Sequence, residues 1–320
     1  SFIIAAGKTI NTQNNDLNLQ TADLALSAAV NVGDADVYLS SSGGDIGLGD
    51  IAKDLNISAA ELGYITANNL YLGNDVSGDL YVDGVAQENS QNISQTVYLQ
   101  ALNKDAKVRF EGDAAEFATL EVKADKGIEL EANLSTYTGS LRLKSDLGQA
   151  GVGNIDAAGG VSIFSMTDLN LDSQVHNAGA VSFEANENVF VNESVNSQGD
   201  FTLIADKDGN GTGDLSFASG IEFENNENNV TLMANDLNLQ TQILNANRVS
   251  LAPTDGGNIA VGLGVSDFSL DPDELALIEA AEVFIGDDSS GNISIDGLES
   301  EDVASIDLIQ FNAKIGRAHV

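Results

Sequence analysis

The stretch VSFEANENVFVNESVNSQGDFTLI, Val181 to Ile204, decides the fold. It opens on an apolar-polar-apolar triplet, Val181/Phe183, and returns to one at Phe201/Leu203, 20 residues later, after a corner of Ser197-Gln198-Gly199-Asp200. Alternate side chains of a strand point to opposite faces, so the outer residues of each triplet can face an interior while the middle one meets water. Working outward, the same triplet stands at Leu120/Val122, Leu141/Leu143, Val161/Ile163 and Ile221/Phe223, with successive starts 21, 20, 20, 20 and 20 residues apart. A sustained period of about 20 residues, with turn residues between, predicts a solenoid whose coils stack only on their neighbours.

Further triplets run from Leu17/Leu19 to Ile306/Leu308, and a second set, beginning at Val108, Ile128, Leu169 and Val189, falls between the rungs of the first. Two or more strands per coil, joined by corners such as Gly159-Gly160 and Asn177-Ala178-Gly179, predict an all-β fold, a single-stranded parallel β-helix of about 20 residues per coil. Helical periodicity is absent, and the only prolines, Pro253 and Pro272, fall in expected corners. The expected organisation is one continuous β-helix over residues 1–314, with its regular ladder at 120–223 and duplicated segments at 44–84 and 257–297. Roughly fifteen coils at the strand spacing of about 4.8 Å would extend on the order of 70 Å.

Composition narrows the partners. With 13 Lys+Arg against 49 Asp+Glu, the formal charge is −36, which argues against nucleic acid or an anionic membrane, since both require a basic face. Cysteine is absent, so disulfides and thiolate metal sites are excluded. No apolar run approaches the roughly 18 residues of a membrane helix. The chain opens at Ser1 directly in strand-like sequence, and the expectation is that the natural N-terminus lies upstream. The last residues, Ile315-Gly316-Arg317-Ala318-His319-Val320, read like a translated sequencing adaptor on a gene from a metagenomic fragment, and 315–320 are expected to be a non-native tail.

Stacking by the observed offsets sets Glu121 against Arg142, Arg109 against Glu129 and Lys123 against Lys144. Two of these contacts are attractive. Seven of the 13 basic residues lie between 104 and 144 among dense glutamates, the pattern of a solvated ion-pair face.

A longer repeat relates Asp54–Gly84 to Asp267–Gly297 at an offset of 213. Glu61-Leu62, Ile65, Ala67, Gly73, Ser77-Gly78 and Asp83-Gly84 return as Glu274-Leu275, Ile278, Ala280, Gly286, Ser290-Gly291 and Asp296-Gly297. Asp16-Leu17-Asn18-Leu19-Gln20-Thr21 recurs intact at 236–241. The pattern Glu-Leu-x-x-Ile-x-Ala, followed by an apolar triplet, Gly, Ser-Gly and a second apolar triplet, resembles the repeats of filamentous-haemagglutinin-like bacterial exoproteins of two-partner secretion systems. The two best copies cover about a fifth of the chain, and no N-terminal secretion domain of that family is recognisable. The resemblance implies a right-handed β-helical shaft of a secreted or cell-surface adhesin. It also implies an outer-membrane secretion partner and contact with a host-surface protein or glycan.

The sharpest local motif is Asp206-Lys207-Asp208-Gly209-Asn210-Gly211-Thr212-Gly213-Asp214. Asp206, Asp208, Asn210, Thr212 and Asp214 follow the first five ligand positions of an EF-hand-type loop, which makes them candidate Ca2+ ligands. The twelfth position is Phe217 rather than glutamate, so an insertion corner is the competing reading. Asp287-Asp288-Ser289-Ser290 and Glu299-Ser300-Glu301-Asp302 are acidic runs of the kind that solvated surfaces carry. His176 reads as a corner residue, and no catalytic residues are assigned. The expected function is structural or adhesive. The alternative is a carbohydrate-active β-helix enzyme, a polysaccharide lyase or glycoside hydrolase, whose arginines would have to be Arg109, Arg142 or Arg248.

Overall fold

The computed structural model describes residues 1–145 and 153–314; the adaptor-like segment 315–320 lies outside them. The chain forms two compact units, Ser1–Met166 and Thr167–Val320. It is 48% strand and 4% helix, and the pairings among the described strands are parallel. A parallel pair needs a crossover between its strands. In this chain the crossover is the rest of a coil.

In the first unit, one sheet stacks Leu17–Thr21, Val37–Ser41, Leu70–Leu72, Val97–Ala101, Leu120–Ala124 and Leu141–Lys144. A second column stacks Ile46–Gly49, Leu80–Asp83, Lys107–Phe110, Gly127–Leu130 and Asn154–Ala157. A third joins Ala115–Phe117, Leu134–Thr136 and Ser162–Ser165. A regular coil therefore gives one strand to each of three columns, and each column gains one strand per coil. The fold is a parallel β-helix. The second unit repeats this with Leu169–Leu171, Val175–Asn177 and Val181–Ala185, which pair in turn with Val189–Val191, Val195–Ser197 and Phe201–Ile204.

The structure pairs Glu121 with Arg142, Lys123 with Lys144 and Arg109 with Glu129, as the offsets predict. The six-rung ladder from Leu120 to Phe223 is not one column, however. Leu141 pairs with Leu120, but Ile163 pairs with Leu134; Phe201 pairs onward with Val230, and Phe223 lies against Val195. The cause is that three strands per coil carry the same apolar alternation, so the period alone does not say which column a triplet joins.

Among the described residues the interior of each unit is mainly apolar, with a few small polar side chains buried beside it. Phe183, Phe201, Phe217 and Phe223 are all essentially inaccessible to water; Phe183 and Phe201 meet along one column with ring centroids 5.5 Å apart, and Phe201 and Phe223 meet across columns at 5.2 Å. Burying one such ring is worth about 1.5–3 kcal/mol. The outward residues between them remain half-exposed, as in the pattern of Val97–Ala101 and Leu120–Ala124.

Polar side chains at the corners also stack. The residue just before each of the first three strands of the first sheet accepts the backbone N–H of its counterpart one coil on. Asp16 Oδ1 takes Asp36 N at 3.1 Å, Asp36 Oδ1 takes Asn69 N at 3.1 Å, and Asn69 Oδ1 takes Thr96 N at 3.1 Å. In the second unit Asp168 and Asn188 do the same for Asn188 and Asp214, and Asp236 accepts the N–H of Ser269 within the strand Phe268–Leu270. A second corner line runs through Asp45, Asp79 and Lys107 at 2.9 Å per step. Corner amides that the strand ladders leave unpaired are thereby satisfied.

Three single helical turns interrupt the strands, Ala59–Leu62, Gln87–Ser90 and Pro272–Leu275. Two belong to the 213-residue duplication. Ser58 and Asp271 cap their turns by accepting Glu61 N and Glu274 N, and each glutamate reaches back to its cap's N–H. Each also ties down an earlier strand: Glu61 Oε1 accepts Leu26 N at 2.9 Å, and Glu274 Oε1 accepts Leu239 N at 3.0 Å. Leu239 thus takes the place of Leu26, although the repeated hexapeptide aligns it with Leu19. Gly49 and Gly262 hold φ of +95° and +92°, where a Cβ would collide with the carbonyl of Asp83 or Asp296. Pro272 opens its helical turn, where its missing N–H costs no hydrogen bond. Pro253 is the last residue of the strand Gln242–Pro253 rather than a corner.

Candidate functional site

The five candidate Ca2+ ligands share one loop, but their oxygens are turned to different tasks. Asp206 is fully buried with φ +48°, a left-handed conformation that swings its carboxylate under the loop. There it accepts Asn210 N at 2.9 Å, Gly211 N at 3.2 Å and the Thr254 hydroxyl at 2.7 Å. Asp208 accepts the Asn210 side-chain amide at 3.0 Å, Thr212 donates its hydroxyl to Asn210 Oδ1, and Asp214 accepts Asn235 Nδ2 at 3.2 Å. Asp206 therefore organises the insertion corner through donors of the chain itself. Among the described residues, no group of three or more His, Asp or Glu is placed to hold a metal ion.

The first unit carries an aromatic stack on the outward side of its first sheet. Tyr38, Tyr71 and Tyr98 are consecutive in register, with centroids 4.6 and 4.4 Å apart and planes within 8° and 2°. Burial, with Tyr98 adding to it, pushes the Tyr71 hydroxyl up to about 12. Rings stacked face to face along the coil direction present edges and hydroxyls to water, whereas a sugar ring packs on an exposed aromatic face. Lys123 lies 6.0 Å from the Tyr98 centroid at one end of the stack. On the neighbouring column Lys53 sits over Tyr81 at 3.3 Å, and Arg109 bonds Glu129. The polar and aromatic groups of this face are engaged with one another.

In the second unit a cleft of about 510 Å³ crosses four successive strands. Glu227 precedes Asn229–Ala234, Asn245 and Asn247 lie in Gln242–Pro253, Glu279 and Ala281 in Ile278–Ile285, and Ser305 and Asp307 at the start of Ile306–Phe311. These strands pair consecutively, with a register shift between Ile243 and Ala246 that opens the corner. Ala246 and Ala280 form a buried floor. The side chains of Glu227, Glu279 and Asp307 are exposed and make no ion pair or hydrogen bond among the described residues. No sequence motif announced this cleft, because its lining is spread from 227 to 307 with unequal spacing.

The remaining candidates have structural surroundings. His176 stands in mid-strand, in register with Asn196, rather than at a corner. Arg248 is likewise a strand residue; it donates twice to Glu282, at 2.9 and 2.6 Å, and covers the Phe284 ring at 4.4 Å. Asp287 accepts from Ser289 and Ser290. Burial pushes its carboxyl up, but those four hydrogen bonds outweigh burial and hold it below its ordinary value. Asp302 accepts Glu299 N at 2.7 Å. No protein-family model, curated protein or solved structure matches the chain.

Proposed function

We propose that the chain is a structural and adhesive shaft of a large secreted or cell-surface bacterial exoprotein, of the filamentous-haemagglutinin-like kind that its repeats resemble. The observation that carries this reading is the use made of polar side chains. Aspartates and asparagines at the corners hold the next coil's backbone, and the tyrosines and ion pairs of the first unit hold one another. Side chains committed to stacking suit a body that keeps other parts apart and meets a host protein or glycan along its length.

The test is to apply the purified chain to host cells, immobilised glycans and a panel of polysaccharides. Retention without cleavage is expected. Release of new reducing or unsaturated ends would replace the shaft with a carbohydrate-active enzyme, and failure to bind any surface would remove the adhesive half of the proposal.

A further inference from the structure

We infer that the cleft across Glu227, Asn245, Asn247, Glu279 and Asp307 is a binding groove for an amino-sugar glycan, a chain of hexosamine units carrying free ammonium groups. This rests on the adhesive reading above and names the ligand class that one part of the surface would take.

The groove is rich in acceptors and poor in donors. Its three carboxylates are unpaired among the described residues, and no lysine, arginine or histidine lines it. The amide nitrogens of Asn245 and Asn247 are already given to Glu224, at 2.9 Å, and to Asn229, at 2.9 Å, which leaves their oxygens as acceptors. A complementary ligand must bring positive charge and many donors. A hexosamine chain brings both, as ammonium and hydroxyl groups.

The form of the groove selects among cations. Its carboxylates are not clustered in a metal-binding group, so a single small ion would not engage all three, whereas a chain with its charges spaced along it can. The successive rungs are about 4.8 Å apart, close to the length of one pyranose unit, and the alanine floor leaves room for the ring. An extended basic peptide would seek an unpaired strand edge for its main chain. The middle of the floor offers none, because Gln242–Pro253 and Ile278–Ile285 are paired on both sides.

The test is titration calorimetry on the full chain with a fully deacetylated glucosamine hexasaccharide. Binding is expected, and it should weaken about tenfold in the double variant Glu279→Gln/Asp307→Asn. The fully N-acetylated hexasaccharide should bind at least about tenfold more weakly than the free amine, for want of the charged partner. Both substituted residues are exposed, and unchanged circular dichroism would establish that the fold is kept. The control is Glu88→Gln/Glu116→Gln, which removes the same charge from exposed sites of the first unit and should change affinity by less than about twofold. Equal weakening by the two double variants would overturn the inference, since the general negative charge would then be what binds. Oligolysine binding with the same affinity and the same groove sensitivity would overturn it in favour of a basic peptide. Absence of hexasaccharide binding while the chain still adheres to other surfaces would sink the groove and leave the shaft. Polysaccharide cleavage would sink the shaft and leave the ligand class of the groove standing.

Discussion

The turns Ser58–Glu61 and Asp271–Glu274 are copies 213 residues apart with the same backbone hydrogen bonds and different caps. In the first, the Ser58 hydroxyl donates to Glu61 Oε2 at 2.7 Å. In the second, Asp271 brings a carboxylate where the serine brought a donor. The Glu274 carboxyl is pushed up to about 7, first by burial and then by Asp271 and Asp236, against the opposing N–H groups of Leu239 and Asp271. Duplication has thus preserved the latch geometry while replacing the hydroxyl beside the glutamate with a carboxylate. Main-chain hydrogen bonds fix where such a glutamate must sit, and its neighbours fix how readily it ionises.

The largest effect should come from the residue both copies bury beneath the latch. Leu62 and Leu275 are fully inaccessible, so Leu62→Ala and Leu275→Ala should each cost about 2–5 kcal/mol in urea unfolding. A silent substitution in one copy would mean that the two turns do not share a load.

A smaller effect should appear with pH. The Glu274 carboxyl titrates higher in the folded protein than in the unfolded chain, so its contribution to stability is full below about pH 4.5 and is lost as pH rises through about 7. Protection of the Leu239 amide from hydrogen exchange should therefore fall between pH 5 and 8, by about 1 kcal/mol once solvent screening of this partly exposed group is allowed for. Asp271→Ser restores a neutral cap and should recover part of that loss at pH 8. Equal pH dependence in the parent and the variant would remove Asp271 from the explanation.

The smallest effect is the difference between two aromatic sites. Tyr71 stacks between two tyrosines, whereas its counterpart Phe284 lies under Arg248. Tyr71→Leu should cost about 1–2 kcal/mol for its two ring contacts, and Phe284→Leu about 0.5–1 kcal/mol for one cation–π contact. Thermal unfolding of both variants gives the order, and a reversed order would show that the stack contributes little beyond burial.

The repeat was legible in the sequence because burial selects the outer residues of each triplet, and the register of the 104–144 face followed from offsets alone. Column membership was not. From Phe201 a step of 20 residues reaches Ile221, but the Asp206–Asp214 insertion lengthens that coil, and the true neighbour is Val230. At the candidate site, ligand-like spacing in 206–214 was visible, but the left-handed conformation that turns Asp206 inward depends on how the loop closes over Thr254. The groove of the second unit was illegible for another reason. Its residues become neighbours only once coils of different length have been stacked, so no local pattern joins Glu227 to Asp307.

The corner ladder has a direction. At each step the acceptor belongs to the earlier coil and the N–H to the later one, from Asp16 to Asp36, Asn69 and Thr96. A coil laid down first therefore ends in a waiting carboxylate or amide oxygen that only its successor satisfies. A chain folding from its N-terminus meets a prepared acceptor at each step of this line, whereas the Glu61 and Glu274 latches run the other way, with the later coil supplying the oxygen. Along this one line of corners, the order of the coils is written into which side carries the oxygen.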